Sequence, residues 1–177
     1  MDLAKKNKLI IICGLPGSGK TTLARKLSRK MHIACLHKDS IKESLYDIFK
    51  MKTLEDSKSI GKKSVDLLFD LTEEQLERGL DLIIEAPFNF PEDYKIFEEW
   101  QTKYKLNLYS IICSIPSRTR EERIDNRPRH KAHHDNERGN FLMNIQCNYK
   151  NIPGKQIKIT TNKTVETLVK TVITQLK

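Results

Sequence analysis

The chain has 177 residues, 38% of them hydrophobic and 31% charged, with a formal charge of +9. That length suits one α/β domain with its own core and excludes two large ones, and the balance is that of an ordinary soluble chain rather than a disordered one. The positive charge is compatible with an anionic ligand such as a nucleotide, a phosphorylated substrate or nucleic acid, and equally with a lysine-rich surface kept soluble by its charge.

The N-terminal residues Met1 to Lys6 lead into an apolar run, Leu9 to Cys13, too short for a membrane span and read as the first strand. Thr21 to Met31 follows as a helix, with Leu23, Leu27 and Met31 at helical spacing. Ile33 to His37 is the second strand. Ser40 to Lys50 is the next helix, with Ser40 and Glu43 three residues apart as in a capping box. Ser57 to Arg78 is a long helix with Val65, Leu68, Phe69 and Leu76 on one face, ended by Gly79. Asp81 to Glu85 contains the third strand, and Pro87 to Pro91 is a loop. Glu92 to Lys105 is a helix and Leu106 to Ser114 the fourth strand. Arg118 to Asn126 is a helix, followed by a polar stretch from Arg127 to Asn140 and a further helix at Phe141 to Asn148. Ile157 to Ile159 is a short last strand and Thr164 to Leu176 the closing helix. Strands separated by helices argue for a mostly parallel sheet covered on both faces. No repeat, low-complexity tract or linker divides the chain. The expectation is one domain over residues 1–177, with a lid near residues 118–140.

The four cysteines, Cys13, Cys35, Cys113 and Cys147, form no CxxC pair, and the first three lie in or beside apolar runs. They read as small core residues of a reduced protein, which makes the cytoplasm the expected compartment, with no membrane partner.

The most specific motif is Gly14-Leu15-Pro16-Gly17-Ser18-Gly19-Lys20-Thr21, followed by Thr22. It is a full P-loop pattern, placed after a strand and before a helix as its chemistry requires. Glycines let the loop wrap with its N–H groups turned inward as a nest for phosphate oxygens, and the helix N-terminus adds partial positive charge. Lys20 is expected to reach the β- and γ-phosphates, and Thr21 to offer a hydroxyl to Mg²⁺. Guanine specificity usually needs an Asn-Lys-x-Asp loop. Asn162-Lys163-Thr164-Val165 lacks the aspartate and reads as a coincidence at the start of the last helix, so the expected nucleotide is ATP.

Ligands of open α/β sheets sit at the carboxyl ends of the strands, and two acids stand there. Asp39 follows the second strand. With Ser40 and Glu43 capping the helix, Asp39 is left to accept a proton from a substrate hydroxyl and orient it toward the γ-phosphate. Glu85 ends the third strand in the place of a Walker B acid that supports Mg²⁺, often through water. The alternatives are a helix cap at Asp39 and a solvated strand-end acid at Glu85. Farther on, Arg118, Arg120, Arg123, Arg127, Arg129, Lys131 and Arg138 alternate with five acids. This pattern suggests an ordered surface with selected arginines, where a lid would lie, or a helix laced with salt bridges. Arg123 and Arg127 are spaced to share a helix face, and arginine can clamp a phosphoryl oxygen or stack on adenine. His130, His133 and His134 fit no zinc signature well.

Together, the P-loop, Lys38-Asp39-Ser40, Ile84-Glu85-Ala86-Pro87-Phe88 and the Arg123…Arg127…Arg129-His130 segment resemble the AAA-type P-loop kinases related to polynucleotide 5′-kinase, zeta toxin and chloramphenicol phosphotransferase. The resemblance spans most of the chain. It implies a P-loop NTPase three-layer sandwich with a five-stranded parallel sheet and an arginine-rich lid. It further implies Asp39 as base, Mg²⁺ near Thr21, and adenine between the lid helix and the turn near Thr160 and Thr161. Many relatives carry aspartate where this chain has Glu85. The expected partners are ATP and a hydroxyl-bearing acceptor: a nucleoside, a nucleic-acid 5′-end, an amino sugar or an antibiotic. The alternative function is an ATP-binding regulator or nucleic-acid-associated ATPase. No regular aromatic interleaving supports a dedicated single-strand binder.

Overall fold

The computed structural model describes residues 6–126, 128, 130–134 and 147–176. Five strands form one sheet: β1 (Lys8–Gly14), β2 (Ala34–His37), β3 (Leu82–Glu85), β4 (Asn107–Ser114) and β5 (Lys155–Thr160). Their spatial order is β2-β3-β1-β4-β5, and every neighbouring pair is parallel. This is the expected α/β P-loop sandwich, with all the strands parallel.

The central strand explains why the sheet needs two covers. Alternate residues of β1 point to opposite faces, and both sets are apolar. Leu9, Ile11 and Cys13 enter one core with Leu68 and Leu76 of α3 (Leu54–Glu77) and Phe97 and Trp100 of α4 (Pro91–Lys103). Ile10 and Ile12 enter the other, with Leu23 and Leu27 of α1 (Lys20–Met31) and Leu168, Val169 and Val172 of α6 (Val165–Gln175). Fully burying each of these side chains contributes about 1.5–3 kcal/mol. The two remaining described α-helices, α2 (Lys38–Ile48) and α5 (Ser117–Asp125), stand at the carboxyl ends of β2 and β4. A third small core of Tyr46, Ile60 and Ala132 joins α2 and α3 to a 3₁₀ turn at Lys131–His133.

Several element ends differ from expectation for local reasons. Helix α2 starts at Lys38, so Ser40 and Glu43 form no capping box at its entry, and Asp39 lies in the helix's first turn. The capping box belongs instead to α3, where the Thr53 hydroxyl accepts from the Asp56 N–H and the Asp56 carboxylate accepts from the Thr53 N–H. That starts α3 at Leu54 rather than at Ser57. Pro91 opens α4 at its first position, where a missing N–H costs nothing. The same helix stops at Lys103, before Lys105 takes a left-handed φ of 52°. Strand β5 is twice the expected length, because Lys155 to Thr160 pairs residue by residue with β4. The helix expected at Phe141 to Asn148 falls largely outside the described residues, while Cys147 and Asn148 are in irregular backbone. Among the described residues, no helix is long and apolar enough to cross a membrane.

Candidate active site

The phosphate loop is the turn between β1 and α1. Gly14 has φ 146°, and a Cβ there would sit 2.5 Å from the Cys113 carbonyl and 2.6 Å from the Ser18 hydroxyl. Gly19 has φ 81°, with Thr161 Oγ1 at 3.2 Å and Arg123 Nη1 at 3.3 Å from a notional Cβ. At both positions a side chain would be strained and would press on a neighbour. A β-turn closes the loop, with the Ser18 N–H donating to the Leu15 carbonyl at 3.1 Å. The loop leads straight into α1, whose first two residues are Lys20 and Thr21. The Ser18 hydroxyl is buried and has no hydrogen-bond partner among the described residues.

A cleft of about 400 Å³ opens beside this turn. Gly17, Gly19, Lys20, Thr21 and Thr22 line one side of it, and Arg123, Thr161, Lys163, Val165 and Leu168 the other. Thr161, only 4% exposed, joins the two sides. Its hydroxyl donates to the Ser18 carbonyl at 2.7 Å and accepts from Arg123 Nη1 at 3.1 Å, while its carbonyl accepts from Arg123 Nη2 at 2.8 Å. Arg123 of α5 is thereby fixed at the cleft wall by two bonds. Arg127 and Arg129 lie outside the described residues.

The acids occupy the carboxyl ends of the strands on the other side of the loop. Glu85 closes β3 and is 2% exposed. Its Oε2 is 3.0 Å from His37 Nδ1 and its Oε1 3.8 Å from Lys20 Nζ. Asp39 stands two residues beyond His37 in the first turn of α2, where the helix dipole favours a carboxylate. Its Oδ1 is 3.4 Å from Lys38 Nζ. Lys20, Thr21, Glu85 and Asp39 thus gather at one end of the sheet. Hydroxyl and carboxylate oxygens are the hard donors that Mg²⁺ takes, so Thr21 and Glu85 fit that ion by chemistry. The glycine turn, which leaves no room for a Cβ, fits a phosphate chain.

Within the stretch expected to form a lid, the described residues 130–134 pack against α2. His133 Nε2 is 2.7 Å from Glu43 Oε1, His130 Nε2 is 3.1 Å from Asp47 Oδ2, and His134 Nε2 is 3.1 Å from the Tyr46 hydroxyl. All three histidines therefore face α2. The cysteines are free, and burial pushes the Cys35 and Cys113 thiols up to about 12, far from thiolate chemistry. Two features of the site escaped sequence reasoning. The His37–Glu85 contact depends on parallel register, which leaves no local mark. Lys163, read as part of a coincidental Asn-Lys pair, lines the cleft.

Comparison with known proteins is consistent with this geometry. Residues 9–146 match a protein-family model described as AAA domain. No curated protein matches the chain in sequence. Among solved structures, a candidate kinase from Chloroflexus aurantiacus J-10-fl superposes with a TM-score of 0.80 at 24% identity, covering 98% of this chain and all of that one. A sugar kinase from Janibacter sp. HTCC2649 gives a TM-score of 0.64 at 16% identity over 97% of this chain and 94% of its own. The Mycobacterium tuberculosis APS kinase, in complex with AMPPNP and APS, gives 0.64 at 15% identity over 97% and 98%. At these identities the likeness is one of fold alone.

Proposed function

The chain belongs to the AAA domain family, and on that premise we propose that it is an ATP-dependent phosphotransferase that moves the γ-phosphoryl group to a hydroxyl of a small-molecule, nucleotide or nucleic-acid acceptor. The observation that carries this reading is the placing of Asp39. It lies in the first turn of α2, at the same sheet end as the phosphate loop and part-exposed, with 35% of its side chain open to solvent. A carboxylate there can meet an acceptor, whereas a regulator that only binds and releases ATP has no need of one.

In this reading the N–H groups of Gly17, Gly19 and Lys20 cradle the phosphates, the Ser18 N–H being bonded to the Leu15 carbonyl, and Lys20 neutralises charge on the β- and γ-oxygens as transfer proceeds. Thr21 and Glu85 would hold Mg²⁺, which when bound screens phosphate charge. Arg123 and Thr161 form the wall where adenine would lie. Arg127 takes the role of lid arginine on sequence grounds. Asp39 accepts the hydroxyl proton and aims the acceptor oxygen along the line of displacement. Leu15, Pro16, Ser18 and Thr22 shape the loop and its exit into α1.

The test is a panel of hydroxyl acceptors, including nucleosides, 5′-hydroxyl oligonucleotides, amino sugars and antibiotics. Each is incubated with γ-labelled ATP and the products are read by mass spectrometry. A product heavier by one labelled phosphoryl group supports the reading. ATP hydrolysis with no acceptor phosphorylated across the panel favours the ATPase alternative.

A further inference from the structure

Glu85 is 2% exposed, and a carboxylate buried so deeply is costly unless it is held by hydrogen bonds. Among the described residues that bond comes from His37, whose Nδ1 lies 3.0 Å from Oε2. Lys20 Nζ is farther away, 3.8 Å from Oε1. The sheet itself creates the contact. Parallel register pairs the Cα of His37 with that of Glu85, so both side chains leave the same face of adjacent strands at the strand ends. The His37 side chain is 13% exposed, so water competes little for this bond.

This geometry has a consequence for the phosphate-binding lysine. The terminal torsion of a glutamate is broad, so a carboxylate free to rotate turns toward the strongest nearby donor. Here that donor is the Lys20 ammonium. A direct ion pair in so buried a place would be tight and would withdraw the cation from a phosphate. With Oε2 tied to His37, Oε1 remains at 3.8 Å, beyond hydrogen-bond reach of Lys20.

We infer that His37 is a positioning residue of the phosphate site: it restrains Glu85 so that Lys20 stays available to phosphate oxygens. The inference deepens the phosphotransferase reading and rests on its assignment of Lys20. It concerns nucleotide binding, so its test needs no acceptor and no metal.

The experiment is calorimetric titration of ADP in EDTA into wild type and a set of variants. His37→Ala frees Glu85 and should weaken ADP binding by about tenfold, the low end for loss of a hydrogen bond to a charged group. His37→Asn places an amide nitrogen where Nδ1 stands and should bind within about threefold of wild type. His37→Gln carries its amide one bond farther out and should bind as weakly as His37→Ala. Adding Glu85→Gln to His37→Ala removes the charge that captures Lys20 and should recover most of the lost affinity. The Asn and Gln pair keeps the test decisive if His37→Ala does not fold. Equal ADP affinity for wild type, His37→Asn and His37→Gln would overturn the inference. So would failure of Glu85→Gln to recover binding in a folded double variant. This ADP pattern across the variants, with a wild type that phosphorylates no acceptor, would count against the proposed reaction and leave the role of His37 intact.

Discussion

Thr161→Val removes the hydroxyl that ties the two walls of the nucleotide cleft, with little change in shape. In the wild type that hydroxyl donates to the Ser18 carbonyl at 2.7 Å and accepts from Arg123 at 3.1 Å, in a position 4% exposed. Valine can do neither. The Ser18 carbonyl then loses a buried donor, which costs about 1–3 kcal/mol because water cannot easily replace it. Arg123 keeps its bond to the Thr161 carbonyl at 2.8 Å, so its loss is partial. The expected destabilisation is about 2 kcal/mol, or about 4–8 °C in Tm for a chain of this size. Urea unfolding followed by circular dichroism measures it. The same variant should weaken ATP binding, because Arg123 at the cleft wall loses one of its two anchors. A loss of stability below about 0.5 kcal/mol, within the range of an ordinary surface change, would refute the view that Thr161 joins loop to wall.

Three further outcomes are expected. Lys20→Ala should abolish most ATP turnover in a chain that still folds, measured as phosphate release alongside a circular dichroism spectrum; wild-type turnover would sink the phosphate-loop assignment. Gly154→Ala should destabilise by about 2–4 kcal/mol in denaturant, since left-handed strain adds to overpacking. Gly154 has φ 85°, and a Cβ there would lie 2.7 Å from both Leu108 Cγ and the Leu108 carbonyl oxygen. Burial raises the Asp93 carboxyl to about 6. Its folded state therefore holds a proton that the unfolded chain, with an ordinary value of about 3.9, has released. Stability contributed by this group is present below about pH 4 and is lost as pH rises through 6, by up to about 1.4 kcal/mol per pH unit. Asp93→Asn should remove that slope and be the more stable form at pH 7, as unfolding at pH 4.5 and 7 will show.

Much of this fold is legible in the chain because local and long-range signals agree. The apolar run Leu9 to Cys13 is buried on both faces, and the glycine-rich turn after it has one chemical use. Helix entries were harder to read. Ser40 and Glu43 have the spacing of a capping box, yet Glu43 is engaged by His133, ninety residues away in the chain. Thr53 and Asp56 make the real box, with aspartate in place of the usual glutamate. The site divides in the same way. Lys20 and Thr21 could be placed from the phosphate-loop motif, and Asp39 and Glu85 from strand ends. His37 and Thr161 act through partners 48 and 143 residues distant in sequence, and only sheet register and the return of β5 bring those partners together. The three histidines near residue 130 fit no zinc signature in the sequence, and in the structure their neighbours on α2 are Glu43, Tyr46 and Asp47.

The central claim is that Asp39 serves as the base for an acceptor hydroxyl, and Asp39→Asn tests it most directly. The amide keeps the size and most of the hydrogen bonding of the carboxylate but cannot take the proton. Calorimetry of ATP binding and single-turnover transfer to an acceptor identified in the panel are measured on the same preparation. The account predicts ATP affinity close to wild type, with transfer slowed by about 10²–10⁴-fold, the usual size of a general-base contribution. Transfer at the wild-type rate by Asp39→Asn would contradict it.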